Sequence, residues 1–532
     1  MQTIRDRRRM LVLAVLVVLI LLGAAMRIAA CWKGYPELQG ADESIVVKQA
    51  IGLLERHSFE ADTYSWPAHL LVKASAVIFE VYSQLRFGQS AVEIYALNPA
   101  SFYVLARGFC ALLGTLMIPL AWWICETVKK GAGLWGAVLF TFFSVYIEHS
   151  GYDTPDVPLA FFTLLAIALA IRYLDKATWG RLAALCICVG AGITVKYTGA
   201  LACLLVAAVV CIQAWNTRSV KLFFLGGVFS IAVVFLSFFL LAPNLVTNWQ
   251  HTAWQLGIEA RGSYGLTAFF IKLRDYLLTW INAGPGVEGV LLAAVGTVWL
   301  VRRWKARYLP LFLGLVYWAC LSVMGLWWVR WGTPFYTTPL LLAAVGLSAC
   351  ADLVHAALAD KVRGLKVLAK PVLAGLLGLV VLAGTVSTGL LAFARCLAPQ
   401  TILASADWCR ENGIAESDCL YNGYTAFAVS WAAELGCSVD EEGNLVAPEG
   451  KENAQYALIS TLYKRFIDNS DLPDAAAGYQ YIFDNWTLVH TIEEWAPSSP
   501  FACVNTGYSL ARIIWLAQGG VAGDPIRIYQ RA

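Results

Sequence analysis

The chain has 532 residues, of which 59% are hydrophobic and only 14% charged, and its mean hydropathy is +0.63. A soluble domain has about 45–50% apolar and about 25% charged residues, so a soluble enzyme, a disordered scaffold and a nucleic-acid binder are poor readings. The net charge of +3 from 39 basic and 36 acidic residues is too small to signal a nucleic-acid partner, and where the charges sit matters more.

A membrane-spanning helix needs about 20 mostly apolar residues. The first such run is Met10 to Ala30, behind Arg5, Arg7, Arg8 and Arg9. A basic start followed by an apolar run also describes a signal peptide, but this run exceeds a usual signal core and many more spans follow. It is therefore read as an anchor. Further spans are expected at 101–127, 131–149, 156–174, 181–196, 198–215, 220–242, 285–301, 308–328, 333–354 and 370–394, about eleven in all. The stretch 181–215 is too long for one helix and just long enough for two, with Lys196, Tyr197, Thr198 and Gly199 at the break.

With the N-terminus inside, the inner segments hold 19 of the 39 basic residues. These include Lys129 and Lys130; Arg302, Arg303, Lys305 and Arg307; and Lys361, Arg363, Lys366 and Lys370. The short outer turns hold almost none, as the positive-inside rule requires. His69 to Leu85, interrupted by Lys73, Glu80 and Gln84, must then not cross. It reads as a helix lying on the outer surface.

The expected fold is thus a polytopic all-α membrane protein with a small extracytoplasmic α/β domain at the C-terminus. Residues 1–394 form the transmembrane part, with a large first outer loop at 31–100, and 395–532 form the tail domain. The tail opens helix-like at Ile402 to Asn412. It then shows β-like runs at Cys419–Tyr424, Tyr456–Ser460, Tyr479–Phe483 and Arg512–Leu516. Five of the 14 cysteines lie there (Cys396, Cys409, Cys419, Cys437 and Cys503), and outside the cytosol some of these could pair.

Two acidic clusters fall on the outer face. Asp42 and Glu43 open a helix in the first loop, where capping is the simplest explanation. The segment Glu148-His149-Ser150-Gly151-Tyr152-Asp153-Thr154-Pro155-Asp156 joins two spans. Ionisable groups at such depth are costly and are candidates for function. Outer cations form a second set: Arg27, Lys73, Arg107, Lys196, Arg261 and Arg330. Such groups either snorkel to lipid head groups or hold a ligand phosphate. Arg330 sits in the Trp-rich turn Trp327-Trp328-Val329-Arg330-Trp331. No zinc spacing, P-loop, GxGxxG or nucleophile elbow occurs.

In order along residues 10–394, these motifs resemble the GT-C superfamily of polytopic glycosyltransferases. The similarity is greatest to the dolichyl-phosphate-mannose–protein mannosyltransferases and their bacterial aminoarabinose and mannosyl transferase relatives. The matching elements are Asp42-Glu43, Tyr64-Ser65-Trp66-Pro67, Ala106-Arg107 with Leu112-Leu113-Gly114-Thr115, Tyr152 with Pro155-Asp156-Val157-Pro158-Leu159, the stretch Gly190 to Tyr197, and Arg330 with Pro334 to Pro339. Val195 between Thr194 and Lys196, and Trp331 after Arg330, depart from the family pattern.

The resemblance implies transfer of a sugar from a polyprenyl-phosphate donor to an acceptor hydroxyl at the outer face, with inversion. Asp42 would be the base, and Glu43 and Asp156 would orient hydroxyls. Arg107, Lys196 and Arg330 would hold the phosphate. Asp153, Tyr197 and Trp331 would contact substrate, and Trp328 and Trp331 would stack on the sugar. No cofactor is required, although a divalent metal is compatible with the chemistry. The partners are the lipid-linked sugar, the bilayer and an acceptor that is protein, lipid or wall polymer. The basic N-terminus and the lack of an endoplasmic-reticulum retention signal point to a bacterial plasma membrane, with the tail outside. A secondary transporter fits the span count, but its polar residues would sit at mid-membrane rather than at outer ends. A lipid-linked polymer ligase or polymerase would depend more on Arg and His than on an Asp-Glu pair.

Overall fold

The computed structural model describes residues 2–36, 42–64, 67–259, 264–359, 369–428, 435–461 and 473–531. Ser65, Trp66, Arg261, Lys361, Arg363 and Lys366 lie outside the described residues.

The chain divides into two compact units. The first comprises Met1–Cys31, Ile45–Phe393 and Ser498–Ser509, and is helical. Its helices begin with α1 (Gln2–Ala30), α2 (Glu43–Glu55), α3 (His69–Phe87), α4 (Ala91–Leu97), α5 (Pro99–Val128), α6 (Gly133–Phe142) and α7 (Ser144–Ser150). Next come α8 (Asp156–Asp175), α9 (Trp179–Val195), α10 (Cys203–Thr217), α11 (Val220–Leu241), α12 (Pro243–Thr247) and α13 (Trp249–Glu259). The series ends with α14 (Leu266–Asn282), α15 (Gly286–Arg302), α16 (Leu313–Val323), α17 (Thr333–Ala359) and α18 (Ala369–Leu397). Short 3₁₀ turns at Tyr197–Ala202, Ala306–Phe312 and Val329–Gly332 lead into α10, α16 and α17.

Every stretch expected to span the membrane is helical, but fewer are long enough to cross alone. Among the described residues seven helices have the length and apolar character to span, or eight if α14 and α15, bent by 105° at their junction, count as one. The difference from eleven has local causes. The stretch 131–149 breaks at Phe143, whose extended backbone ends α6. The long stretch 181–215 does split, and it does so at Lys196. α3 is not among the helices apolar enough to span.

Burial separates helices facing lipid from helices facing protein. In α11 only 11% of the apolar window is buried, and Phe224 and Ile231 are 63% and 73% exposed. An apolar surface that wide is stable in hydrocarbon, not in water. In the span that includes α17, 94% is buried. α17 packs on α15 backbone to backbone. A Cβ at Gly296 would stand 2.0 Å from the Leu342 carbonyl oxygen, and one at Gly346 would stand 2.0 Å from that of Leu292. Small residues permit such contact where no hydrophobic effect draws helices together. The chain is a multi-pass membrane protein.

The second unit comprises Trp32–Ser44, Ala394–Pro497 and Leu510–Ala532. It is built on β1 (Cys419–Tyr421), β2 (Ser438–Val439), β3 (Leu445–Val446), β4 (Tyr456–Ser460), β5 (Thr487–Ile492) and β6 (Ile526–Gln530), with α19 (Thr401–Glu411) ahead of them. The main sheet has the order β1-β4-β6-β5. β1 and β4 are parallel and the other pairs antiparallel. Both faces are covered. Ala457 and Ile459 pack in one cluster with Tyr479 and Ile482, while Leu458 packs in another with Cys409 and Ile528.

α19, β1 and β4 lie where the sequence pattern places them, but two expected strands are helices. Tyr479–Phe483 belongs to the helix Pro473–Asn485, and Arg512–Leu516 to the helix Ala502–Ala517. Tyr479, Ile482 and Trp486 are buried at helical spacing, and the Pro-Asp-Ala-Ala-Ala start favours a helix. Strand β6, where Ile526 and Ile528 alternate with exposed Arg527, lies outside the expected β-like runs. Among the described residues no disulfide forms, and all 14 cysteines are thiols. Cys409, Cys419 and Cys437 instead fill small apolar spaces in the clusters beside the sheet.

Candidate active site

The site is assembled where α8 begins. Asp156 is the first residue of that helix and is 2% exposed. One carboxylate oxygen, Oδ1, accepts from Lys196 Nζ at 2.8 Å, and Oδ2 stands 3.4 Å from Arg330 Nε. Residues 156, 196 and 330 come from three separate junctions between helices, so only folding brings them together.

Each junction has a structural reason. Lys196 caps α9 with extended backbone, which ends that helix and turns its side chain away from the helical path. Arg330 lies in the 3₁₀ turn that opens α17. Thr333, at the start of α17, donates from Oγ1 to the Asp156 carbonyl at 2.7 Å. Its own carbonyl accepts from Tyr146 Oη at 3.0 Å. The starts of α8 and α17 are thereby locked together. Before α8, Gly151 lets the chain pass α1 closely, since a Cβ there would be 2.6 Å from the Ala30 carbonyl oxygen.

One buried carboxylate faces two cations. Burial of Asp156 alone would be costly, and the two cations offset that cost. Lys196 is 13% and Arg330 is 30% exposed, so both remain reachable by an anion. Lys196 Nζ lies 4.8 Å from the Trp331 ring centre, and Arg330 Cζ lies 5.7 Å from that of Trp328. The two indoles expected to stack on a sugar therefore each offer one face to a cation.

Of the other expected residues, Arg107, Asp153 and Tyr197 belong to the same unit, and Asp42 and Glu43 to the second. Arg107, 3% exposed, donates from Nη1 to the Cys31 carbonyl at 3.0 Å. One turn further along α5, Cys110 Sγ is 3.7 Å from Asp153 Oδ1, and Asp153 is fully buried. Tyr197 donates its hydroxyl to the Tyr64 carbonyl at 2.7 Å, which ties the first loop to the 196–197 turn. Glu43 opens α2 and is 1% exposed, while Asp42 just before it is partly exposed.

Arg27 and Lys73 have other tasks. Arg27 is fully buried, and its Nη1 and Nη2 donate to the carbonyls of Gly23, Thr141 and Phe140 at 3.0, 3.3 and 2.8 Å. It fastens α1 to α6 and is not available to a ligand. Lys73 donates to the Leu241 carbonyl at 2.6 Å and caps α11.

Sequence reasoning missed Thr333 and a polar group beyond α11. Asn244 and Asn248 each place Nδ2 3.5 Å from the Tyr64 hydroxyl, and His251 meets the Tyr64 ring edge-on at 4.5 Å. The available signal was the spacing of Asn244 and Asn248, four residues apart just past a span.

Comparison with known proteins agrees with the resemblance read from the motifs. Residues 54–253 match the family model for dolichyl-phosphate-mannose-protein mannosyltransferase. No curated protein sequence matches the chain. The archaeal oligosaccharyltransferase AglB from Archaeoglobus fulgidus, solved with an inhibitory peptide and a dolichol-phosphate, is similar over 92% of this chain and 74% of its own. Its TM-score is 0.53 at 13% identity. The same oligosaccharyltransferase with Zn and sulfate gives a TM-score of 0.52 at 14% identity, covering 91% of this chain and 72% of its own. Apo ArnT from Cupriavidus metallidurans gives 0.49 at 15% identity, over 92% and 97%. The AglB likeness shows a shared fold.

Proposed function

We propose that the chain is a glycosyltransferase that moves a sugar from a polyprenyl phosphate to an acceptor hydroxyl at the outer face of the membrane. The observation that carries this reading is the convergence of two cations, Lys196 and Arg330, on the Asp156 carboxylate at the end of a span. It is a fixed and partly open anion site at the depth where a lipid phosphate sits. The family match over residues 54–253 and the shared fold of AglB, a protein seen with dolichol-phosphate, support the lipid-phosphate donor.

In the proposed reaction Asp42 accepts the acceptor's hydroxyl proton. The acceptor oxygen bonds to the anomeric carbon as the bond from that carbon to the phosphate oxygen breaks. The phosphate leaves with the electron pair, and its charge is stabilised by Lys196 and Arg330, with Arg107 as a third candidate. A single displacement inverts the anomeric centre. Both substrates are held at one interface, which supplies proximity. The partial exposure of Asp42 suits a base that must meet an incoming acceptor. Asp156, fixed between two cations, suits a positioning role. Glu43, Asp153, Tyr197 and Trp331 complete the proposed substrate contacts. In this reading the N-terminus lies inside and the tail domain outside, in a bacterial plasma membrane. No metal is assigned a step.

The test is transfer of label from a synthetic polyprenyl-phosphate sugar to membrane acceptors by purified, reconstituted protein. Covalent transfer supports the proposal, and transfer that persists in EDTA supports a metal-independent reaction. Movement of substrate across the vesicle without covalent change would assign a transporter instead.

A further inference from the structure

The far end of the same helices carries a second concentration of charge. α8 opens with Asp156 and closes with Asp175, about 30 Å away at 1.5 Å per residue, the thickness of a bilayer's hydrocarbon core. At the Asp175 end an open cleft of about 700 Å³ is lined by Lys129, Lys130, Arg302, Arg303, Lys305 and Arg307. Arg307 Nη1 stands 3.3 Å from Asp175 Oδ1. The cleft therefore lies at the opposite membrane face from Lys196 and Arg330.

Two of its cations are committed within the protein. Lys129, 5% exposed, is bound to Asp352 at 2.6 Å and Ser348 at 2.9 Å. Arg307 serves Asp175 and the Thr127 carbonyl. Lys130 is 86% exposed with Glu126 at 3.9 Å. Arg302, Arg303 and Lys305 form no ion pair among the described residues. The cleft thus has an excess of cation while its lining carboxylate, Asp352, is already engaged.

Two further features define the ligand. Trp299 lies between Lys129 Nζ at 5.5 Å and Arg303 Cζ at 5.0 Å, and Trp304 is 51% exposed. Indoles favour the head-group level. Below them an apolar stripe runs down α15. Leu291, Val298 and Val301 are 63%, 49% and 58% exposed, and the helical register brings the stripe up to Arg302. A lipid whose phosphate meets the cations would lay its acyl chain along this stripe.

We propose that this cleft binds the phosphate of an anionic phospholipid from the leaflet opposite the Asp156 cluster, with an acyl chain along the Leu291–Val301 stripe. Arg302, Arg303 and Lys305 supply charge-assisted hydrogen bonds to the phosphate, and Trp304 marks its depth.

The test is native mass spectrometry of the full-length protein in detergent, titrated with phosphatidylglycerol or phosphatidylcholine of the same chain length. The wild type should retain phosphatidylglycerol at least tenfold better. A basic residue near a negative leaflet contributes about fivefold, so the triple variant Arg302→Gln, Arg303→Gln, Lys305→Gln should lose that preference. Arg302→Lys with Arg303→Lys keeps the charge and should keep most of it, and Lys305→Gln alone should weaken it about fivefold even if the triple variant does not fold. Equal retention of the two lipids by the wild type, or unchanged preference in the Gln variants, would overturn the proposal. Displacement of the lipid by millimolar inorganic phosphate or glycerol phosphate would overturn it too, by assigning the cleft to a soluble phosphate.

Discussion

Asp156 and Asp42 are both carboxylates at helix starts, and their surroundings give them different tasks. Asp156 has one oxygen on Lys196 and the other facing Arg330, so its exchange for Asn leaves two cations facing a neutral group. Removing one partner of a buried pair costs about 3–5 kcal/mol. The lower end applies here because Arg330 is 30% exposed. Asp156→Asn is therefore expected to lower the unfolding midpoint in detergent, while Lys196→Arg, which keeps the pair, lowers it much less. Asp42 is partly exposed just before the first residue of α2, and Asn caps a helix about as well as Asp. Asp42→Asn should leave the unfolding midpoint near wild type and reduce label transfer by about 10²–10⁴-fold, the range for a positioned general base. Wild-type transfer by Asp42→Asn would remove Asp42 from the mechanism.

At the scale of elements, buried polar side chains hold helices in register, and two of them can be separated from ligand binding. Arg27 joins α1 to α6 through carbonyl oxygens. Arg27→Gln should reduce thermal stability and leave the KM for the lipid donor unchanged, because the guanidinium is fully buried. A raised KM at unchanged stability would return Arg27 to the donor site. At the start of α3, His69 Nε2 lies 3.0 Å from the Thr63 carbonyl oxygen. A carbonyl only accepts, so Nε2 carries a proton and donates it. Burial holds its pKa down at about 4, against 6.5 when unfolded, and nearby Lys73 adds to the effect. The unfolded state then binds the extra proton first. Stability contributed by neutral His69 is complete above about pH 6.5, falls as pH drops from there toward 4, and is constant below. The full loss is roughly 3 kcal/mol. Unfolding midpoints measured between pH 7.5 and 4.5 should show this slope in the wild type and a shallower one in His69→Gln.

For the whole molecule, the distribution of charge along α8 provides a test of orientation. One end meets Lys196 and Arg330, and the other meets Arg307 and the basic cleft. Short inner loops rich in Lys and Arg stay in the cytosol, so reporter fusions after Lys130 and after Arg303 should read as inside and a fusion at Tyr152 as outside. A reversed pattern would place the Asp156 cluster on the cytosolic face and remove the outer-face reaction.

Hydropathy along the chain determined that this is a membrane protein, where its helices lie and which ends carry positive charge, because each helix satisfies its own backbone hydrogen bonds and needs only a local apolar run. The same local logic located Lys196 at a helix break and Asp156 at a helix start. It failed for Tyr479–Phe483 and Arg512–Leu516, where a short aromatic or aliphatic run suits strand and helix alike and packing decides. Only the tertiary structure decided which cations meet Asp156. Arg27, Lys73, Arg107, Lys196 and Arg330 look alike in sequence as basic residues near span ends. Arg27 and Lys73 serve carbonyls of neighbouring helices, while Lys196 and Arg330 converge on one carboxylate. That convergence depends on how α8, α9 and α17 pack, a property of contacts between residues 40 and more positions apart that no local pattern encodes.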